Sequence, residues 1–261
     1  MNRALDFVAA LGRWLLGVCR SVGRLTLFAL VGVSHVVRPP FYGRLFARAL
    51  IEIGYFSLPV VALTALFTGM VLALQSSTGL ARFSAETAMP NLVVLSITRE
   101  LGPVLAGLMV AGRVGAAMAA EIGTMRVTDQ IDALSTLSTN PMKYLVAPRL
   151  LAGVIALPLL VVVADILGVF GGFIIATVKL GFNAATYMSN TLSFMQTQDV
   201  VSGLTKAAVF GFLISLMGCY HGYNSRGGAQ GVGAATTAAV VSASILILAF
   251  DYILSELFFV R

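Results

Sequence analysis

The chain has 261 residues, 58% of them hydrophobic and 11% charged, with a net charge of +6. A soluble domain carries about 25% charged residues, so the composition excludes a soluble enzyme or binding module and points to a polytopic membrane protein. The basic residues border apolar segments instead of forming one patch, which argues against nucleic acid as a partner.

The first 24 residues do not read as a signal peptide, because arginines recur through them. Asp6, Arg13, Arg20 and Arg24 fall on one helical stripe, and Leu11, Leu15, Val18 and Val22 on the opposite one. This spacing predicts a basic amphipathic helix lying in the cytoplasmic membrane interface. Leu25–Val37 is only 13 residues long and contains Gly32 and Ser34, so it is expected to be interfacial or re-entrant. Pro39-Pro40 separates it from the first span. Residues 1–50 form this interfacial region, and residues 51–261 form the spanning domain.

Five apolar stretches are long enough to cross a bilayer as helices: Ile53–Leu74, Leu92–Gly112, Leu150–Val178, Val200–Tyr220 and Ala234–Val260. The expected fold is therefore all-α, with five transmembrane helices. Seven arginines precede the first span, and placing the N-terminus inside puts twelve basic residues in the cytoplasm against four outside. The C-terminus is then periplasmic.

The second stretch holds the most informative feature, the pair Arg99-Glu100 about 8 residues in from its start. At 1.5 Å per residue the pair lies roughly 12 Å deep, near the midplane. Charged residues are costly there, so the pair marks either a polar feature of a transport cavity or an ion pair that locks spans together. Pro103 comes shortly after, and its missing N–H leaves the carbonyl of Arg99 without its helical donor. Neighbours on a helix point about 100° apart, so Arg99 and Glu100 need partners on other spans. Asp165, Lys206 and Asp251 are the available buried charges.

The longest polar segment, Arg113 to about Pro148, carries Glu121, Arg126, Asp129 and Asp132 and should hold a short helix. Thr128 is the expected N-cap of a helix over Asp129–Leu137, and Asn140-Pro141 ends it. Ala111 to Gly123 is rich in Gly and Ala, which lets helices approach closely. No GxxxxGK[ST] phosphate loop, GxSxG elbow or HExxH helix occurs, and Cys19, Cys219, His35 and His221 are isolated. No catalytic residue, metal site or bound cofactor is expected, and the chain reads as a non-enzyme. Two other readings stay open. One is a proton-coupled secondary transporter that uses Arg99, Glu100, Asp165 and Asp251 as a relay. The other is a structural anchor. An aspartyl protease built on Asp165 and Asp251 lacks the GxGD sequence it needs.

The stretches FTGMVLALQ (67–75), SAET (84–87), RELGPV (99–104), AGRVGAAMAAEIGTMRVTDQIDAL (111–134), NPMKYLVAPRLLAG (140–153) and FDY (250–252) resemble the MlaE/YrbE permeases. These are membrane subunits of ABC-type lipid transporters that work with MCE proteins. The resemblance covers about residues 50–261, and the 111–134 stretch is its most specific part. Gly233-Ala234-Ala235 departs from a basic residue that some members carry at the start of the last span.

The resemblance implies a homodimeric permease in the bacterial inner membrane, moving phospholipids between that membrane and a periplasmic MCE hexamer and supporting outer-membrane lipid asymmetry. Cytoplasmic ABC ATPase subunits would bind the ATP and magnesium, often with a STAS-domain protein attached. Residues of about 125–137 would form the coupling helix that meets the ATPase, with Glu121, Arg126, Asp129 and Asp132 at the contact. Leu72, Leu80 and Phe83 would touch acyl chains, and Arg99-Glu100 would lie at the cavity's polar floor.

Overall fold

The computed structural model describes residues 2–82 and 88–259, with side chains in the first helix from residue 12 on except 14 and 18. Among the described residues every regular element is helical. In chain order these are α1 (Asn2–Val37), α2 (Gly43–Ile53), α3 (Leu58–Ala81), α4 (Met89–Ser96), α5 (Gly102–Val110), α6 (Ala116–Val127), α7 (Gln130–Thr136), α8 (Ala147–Val178), α9 (Ala184–Phe194), α10 (Thr197–Tyr223) and α11 (Gly228–Phe259). Short π turns at Ile97–Leu101, Ala111–Gly115 and Met142–Val146 join α4 to α5, α5 to α6, and lead into α8. The helices from Met89 to Val127 therefore form one continuous column.

Among the described residues, six helical columns are long and apolar enough to cross a membrane: Leu15–Val37, Gly43–Ala81, Met89–Val127, Met142–Val178, Thr197–Tyr223 and Gly228–Phe259. The last five contain the expected spans, except that Val260 lies outside the described residues. The first corrects the expectation of a separate short segment at Leu25–Val37. Gly32 and Ser34 do not interrupt the helix, because a single Gly costs a helix only about 1 kcal/mol and Ser34 returns its hydroxyl to the Val31 carbonyl. Leu15, Val22, Arg13, Arg20 and Arg24 are all exposed. Asp6, Leu11 and Val18 lie outside the described side chains, so the two expected stripes are seen only in part.

The spanning helices meet through glycine. A Cβ on Gly69 of α3 would overlap the carbonyl of Gly168 on α8, and one on Gly211 of α10 would overlap the carbonyl of Gly153 on α8. Without a hydrophobic force between helices in lipid, such close backbone approach supplies the van der Waals contact that holds them. α8 is thus the central column, packed on α3 one side and α10 on the other, and α10 packs in turn on α6 and α11. Ile122, Val146, Leu157, Phe210 and Ile247 fill the main core. A second cluster of Ala73, Met89, Val93, Ile97, Ala176 and Tyr187 sits at the far ends of α3, α4 and α8.

The expected single coupling helix is in two pieces. α6 ends at Val127 with Thr128 as its C-cap, and α7 begins after Asp129, which adopts φ 57°. Thr128 therefore closes one helix instead of opening the next. Its hydroxyl bonds the Thr124 carbonyl at 2.8 Å. Arg113, expected at the start of the loop, lies inside the helical column. Its guanidinium bonds Ser57 Oγ at 2.8 Å and the carbonyl of Glu52.

Candidate functional site: a buried charge cluster on an open cleft

The π turn at Ile97–Leu101 aims two adjacent charges at different neighbours. Arg99 turns to the start of α10, where its Nη2 lies 2.6 Å and its Nε 2.7 Å from Asp199 Oδ1. Asp199 is fully buried, and its Oδ2 accepts the Gln196 N–H at 2.9 Å, so one carboxylate both caps α10 and holds the guanidinium. The Phe259 ring stacks on the guanidinium, 4.2 Å from ring centroid to Cζ.

Glu100 turns to Lys206, a fully buried ammonium. Lys206 Nζ donates to Glu100 Oε2 at 2.8 Å, to Ser255 Oγ at 2.7 Å and to the Arg99 carbonyl at 2.9 Å. Those three bonds use all three of its protons. Asp251 Oδ1 stands 2.9 Å away and adds charge without a hydrogen bond. Ser255 Oγ lies 3.0 Å from Glu100 Oε1 and 2.8 Å from the Asp251 carbonyl, tying α11 into the set. Lys206 thus faces two carboxylates, and the five charges sum to −1. A buried ion is tolerated only when it is paired and its hydrogen bonds are met, as here.

The cluster opens on a cleft of about 630 Å³ lined by Leu95, Ser96, Arg99 and Glu100 on one side and Tyr252, Ser255, Glu256 and Phe259 on the other. That size lies in the range of ligand sites. The Glu100 side chain is 42% exposed and that of Arg99 30%, while Lys206 and Asp199 are fully enclosed. The charges facing the cleft are therefore held from behind by buried partners.

The other residues singled out from sequence lie elsewhere. Asp165 on α8 does not join the cluster. It packs against Gly102, where a Cβ would overlap its Oδ1, and that oxygen has no hydrogen-bond partner. Leu72 and Leu80 are half-buried on α3, against the second cluster and away from the cleft. There the phenol of Tyr187, on the short helix α9, is pushed up to about 12 by burial. Phe83 and the SAET stretch lie outside the described residues. On the α6–α7 side, Glu121 pairs with Arg149 at 2.7 Å and Arg126 with Asp132 at 2.7 Å. Asp129 forms the left-handed joint between them. Sequence reasoning missed Asp199 as the partner of Arg99. The Gln196-x-x-Asp199 capping pattern marks the start of a helix, but nothing local links it to a residue 100 positions earlier.

Helical columns joined through glycine and a charge cluster at an open cleft between them define a polytopic membrane protein built like a transport subunit. A family model described as Permease MlaE matches residues 46–257. The chain belongs to the MlaE permease family. A probable ABC transporter permease protein of Rickettsia bellii is 54% identical over 255 residues, 98% of each chain. The intermembrane phospholipid transport system permease protein MlaE of Haemophilus influenzae is 35% identical over 261 residues, again 98% of each. The chloroplastic protein TRIGALACTOSYLDIACYLGLYCEROL 1 of Arabidopsis thaliana is 34% identical over 227 residues, 87% of this chain and 65% of that one.

Proposed function

We propose that the chain is the permease subunit of an ATP-driven ABC transporter that moves phospholipids between the inner membrane and a periplasmic MCE carrier, so supporting outer-membrane lipid asymmetry. The observation that carries this reading is the cleft at Arg99 and Glu100. It offers the Arg99 guanidinium and the Glu100 carboxylate, each partly exposed, with the exposed Glu256 beside them and Leu95, Tyr252 and Phe259 as its apolar wall. A zwitterionic lipid headgroup has complementary charges, its phosphate for Arg99 and its cationic group for the carboxylates, and its acyl chains need only a shielded apolar path. The chain itself performs no covalent chemistry, because ATP and magnesium belong to the partner ATPase. Two copies of the chain, cytoplasmic ATPases, an MCE hexamer and, in some complexes, a STAS-domain protein complete the assembly.

Coupling would run along the Met89–Val127 column. α7, hinged at Asp129 and tied to α6 by Arg126–Asp132, meets the ATPase. A displacement there passes up α6 and through two π turns to Arg99 and Glu100. π turns are points where a helix rebonds easily, which suits a hinge. α1 is the least packed of the six columns, and in this reading it lies in the membrane interface. Five crossings then leave the N-terminus cytoplasmic and the C-terminus periplasmic.

The test is a mild-detergent pull-down of the tagged chain from its native membrane, with mass spectrometry of proteins and lipids. Recovery of an ATPase, an MCE protein and phospholipid supports the proposal. Recovery of the chain without a nucleotide-binding partner overturns it in favour of a proton-coupled transporter.

A further inference from the structure

Three apolar columns end at one place, well away from the cleft. Leu15–Val37 stops there, and Gly43–Ala81 and Met142–Val178 begin there. Column ends mark the depth of lipid headgroups. Between them lies a groove of about 150 Å³ walled by Val36, Phe41, Phe46, Ala147 and Leu151, with Lys143 at its rim and, among the described residues, no acidic lining residue. Phe41 is 70% exposed and Leu151 37%, so the apolar wall is open. Lys143 gives one proton to the Pro39 carbonyl, which leaves two for a ligand. Arg38 and Arg44 are exposed and stand beside the groove segment in the chain. His35 is a wall and not a ligand. Its Nδ1 bonds the Val31 carbonyl at 2.7 Å and its Nε2 lies 3.1 Å from Asn140 Nδ2, so both nitrogens are used.

We propose that this groove binds an anionic glycerophospholipid of the surrounding bilayer as a resident ligand, distinct from any transported lipid. The phosphate sits at Lys143, with Arg44 beside it, and one acyl chain lies along Phe46, Ala147 and Leu151. Charge selects the occupant, because the rim is basic only and the wall apolar. The lipid would fill the wedge where α1 leaves α8 and so hold α1 in place. This site does not depend on what the cleft transports.

The experiment is native mass spectrometry of the complex purified in mild detergent, delipidated and incubated with phosphatidylglycerol or with phosphatidylcholine of the same chain length. The wild type should retain phosphatidylglycerol preferentially. Lys143→Gln with Arg44→Gln should lower that retention about 25-fold, at about 1 kcal/mol or fivefold for each basic residue. Leu151→Trp, which fills the groove, should expel either lipid. Ser96→Trp, which fills the cleft without breaking its ion pairs, should leave retention unchanged. Equal retention of the two lipids by the wild type overturns the proposal, as does undiminished retention by the basic-residue or Trp variant. Loss of the lipid in Ser96→Trp would place it in the cleft and also overturn it. So would cross-linking of a Leu151→Cys variant to a second copy or a partner protein with no lipid bound.

Discussion

Lys206 replaces the hydrogen bond that Pro103 removes. Pro103 has no N–H for the carbonyl four residues before it, that of Arg99, and the Lys206 ammonium bonds that carbonyl from α10 at 2.9 Å. The helix break and the buried cation are thus one feature. A free carbonyl inside a membrane would cost several kcal/mol, and an unpaired lysine there more.

Lys206→Met should destabilise the protein by about 3–5 kcal/mol, because it strands Glu100, Asp251 and the Arg99 carbonyl together. Adding Glu100→Gln and Asp251→Asn should recover part of the loss. Unfolding of the purified variants in detergent measures both steps. Equal stability of the single and triple variants would show that the three groups do not act as a unit.

Asp199→Asn should cost about 2–4 kcal/mol, since it frees Arg99 and weakens the α10 cap. Asp199→Glu keeps the charge but moves it, and should be intermediate. Hydrogen exchange at the Gln196 and Asp199 amides, the two donors of the cap, separates the two causes: lost cap protection appears there, and lost pairing does not.

Gly102→Ala should cost about 1–3 kcal/mol, as overpacking of a tight core does, because the added methyl meets Asp165. Asp165→Ala in the same chain should remove most of that cost. Gly69→Ala, against the backbone of Gly168, should be at least as damaging and have no such rescue. Gly79→Ala meets no neighbour and should raise stability by about 0.5–1 kcal/mol. Thermal melts of the four variants check the ranking.

Asp132→Lys should change stability by less than about 1 kcal/mol, because Asp132 and Arg126 are both well exposed. It should nevertheless weaken co-purification of the ATPase if α7 is the docking element. Unchanged co-purification would remove α7 from that role.

The spans are legible in the sequence because membrane helices announce themselves in runs of apolar residues about 20 long. α1 reads as too short because Arg13, Arg20 and Arg24 punctuate it, although a helix carries exposed arginines without breaking. The break between α6 and α7 turns on Asp129 taking a left-handed conformation, which Asp tolerates but does not signal. In the cluster, Glu100, Lys206 and Asp251 stand out as charges inside apolar runs. Asp199 does not, because it sits in the polar stretch that opens α10, where an acid reads as a cap. Asp165 satisfies the same sequence criterion as Asp251 yet packs against a glycine. Which buried charges meet depends on how helices are rotated against each other, and that rotation is set by contacts such as Gly69–Gly168 that have no sequence period.

The π turn at Ile97–Leu101 amounts to one extra residue in an otherwise α-helical column. Deleting a single residue from it would restore α bonding straight through the column, leave the flanking helices in phase, and close the widened turn that presents two adjacent charges to different neighbours. Arg99 and Glu100 would then no longer face Asp199 and Lys206 together. The cleft's polarity is therefore a property of helix length as much as of side-chain identity. A chain of the same composition with one residue fewer at this point would keep its spans and lose its charged cleft.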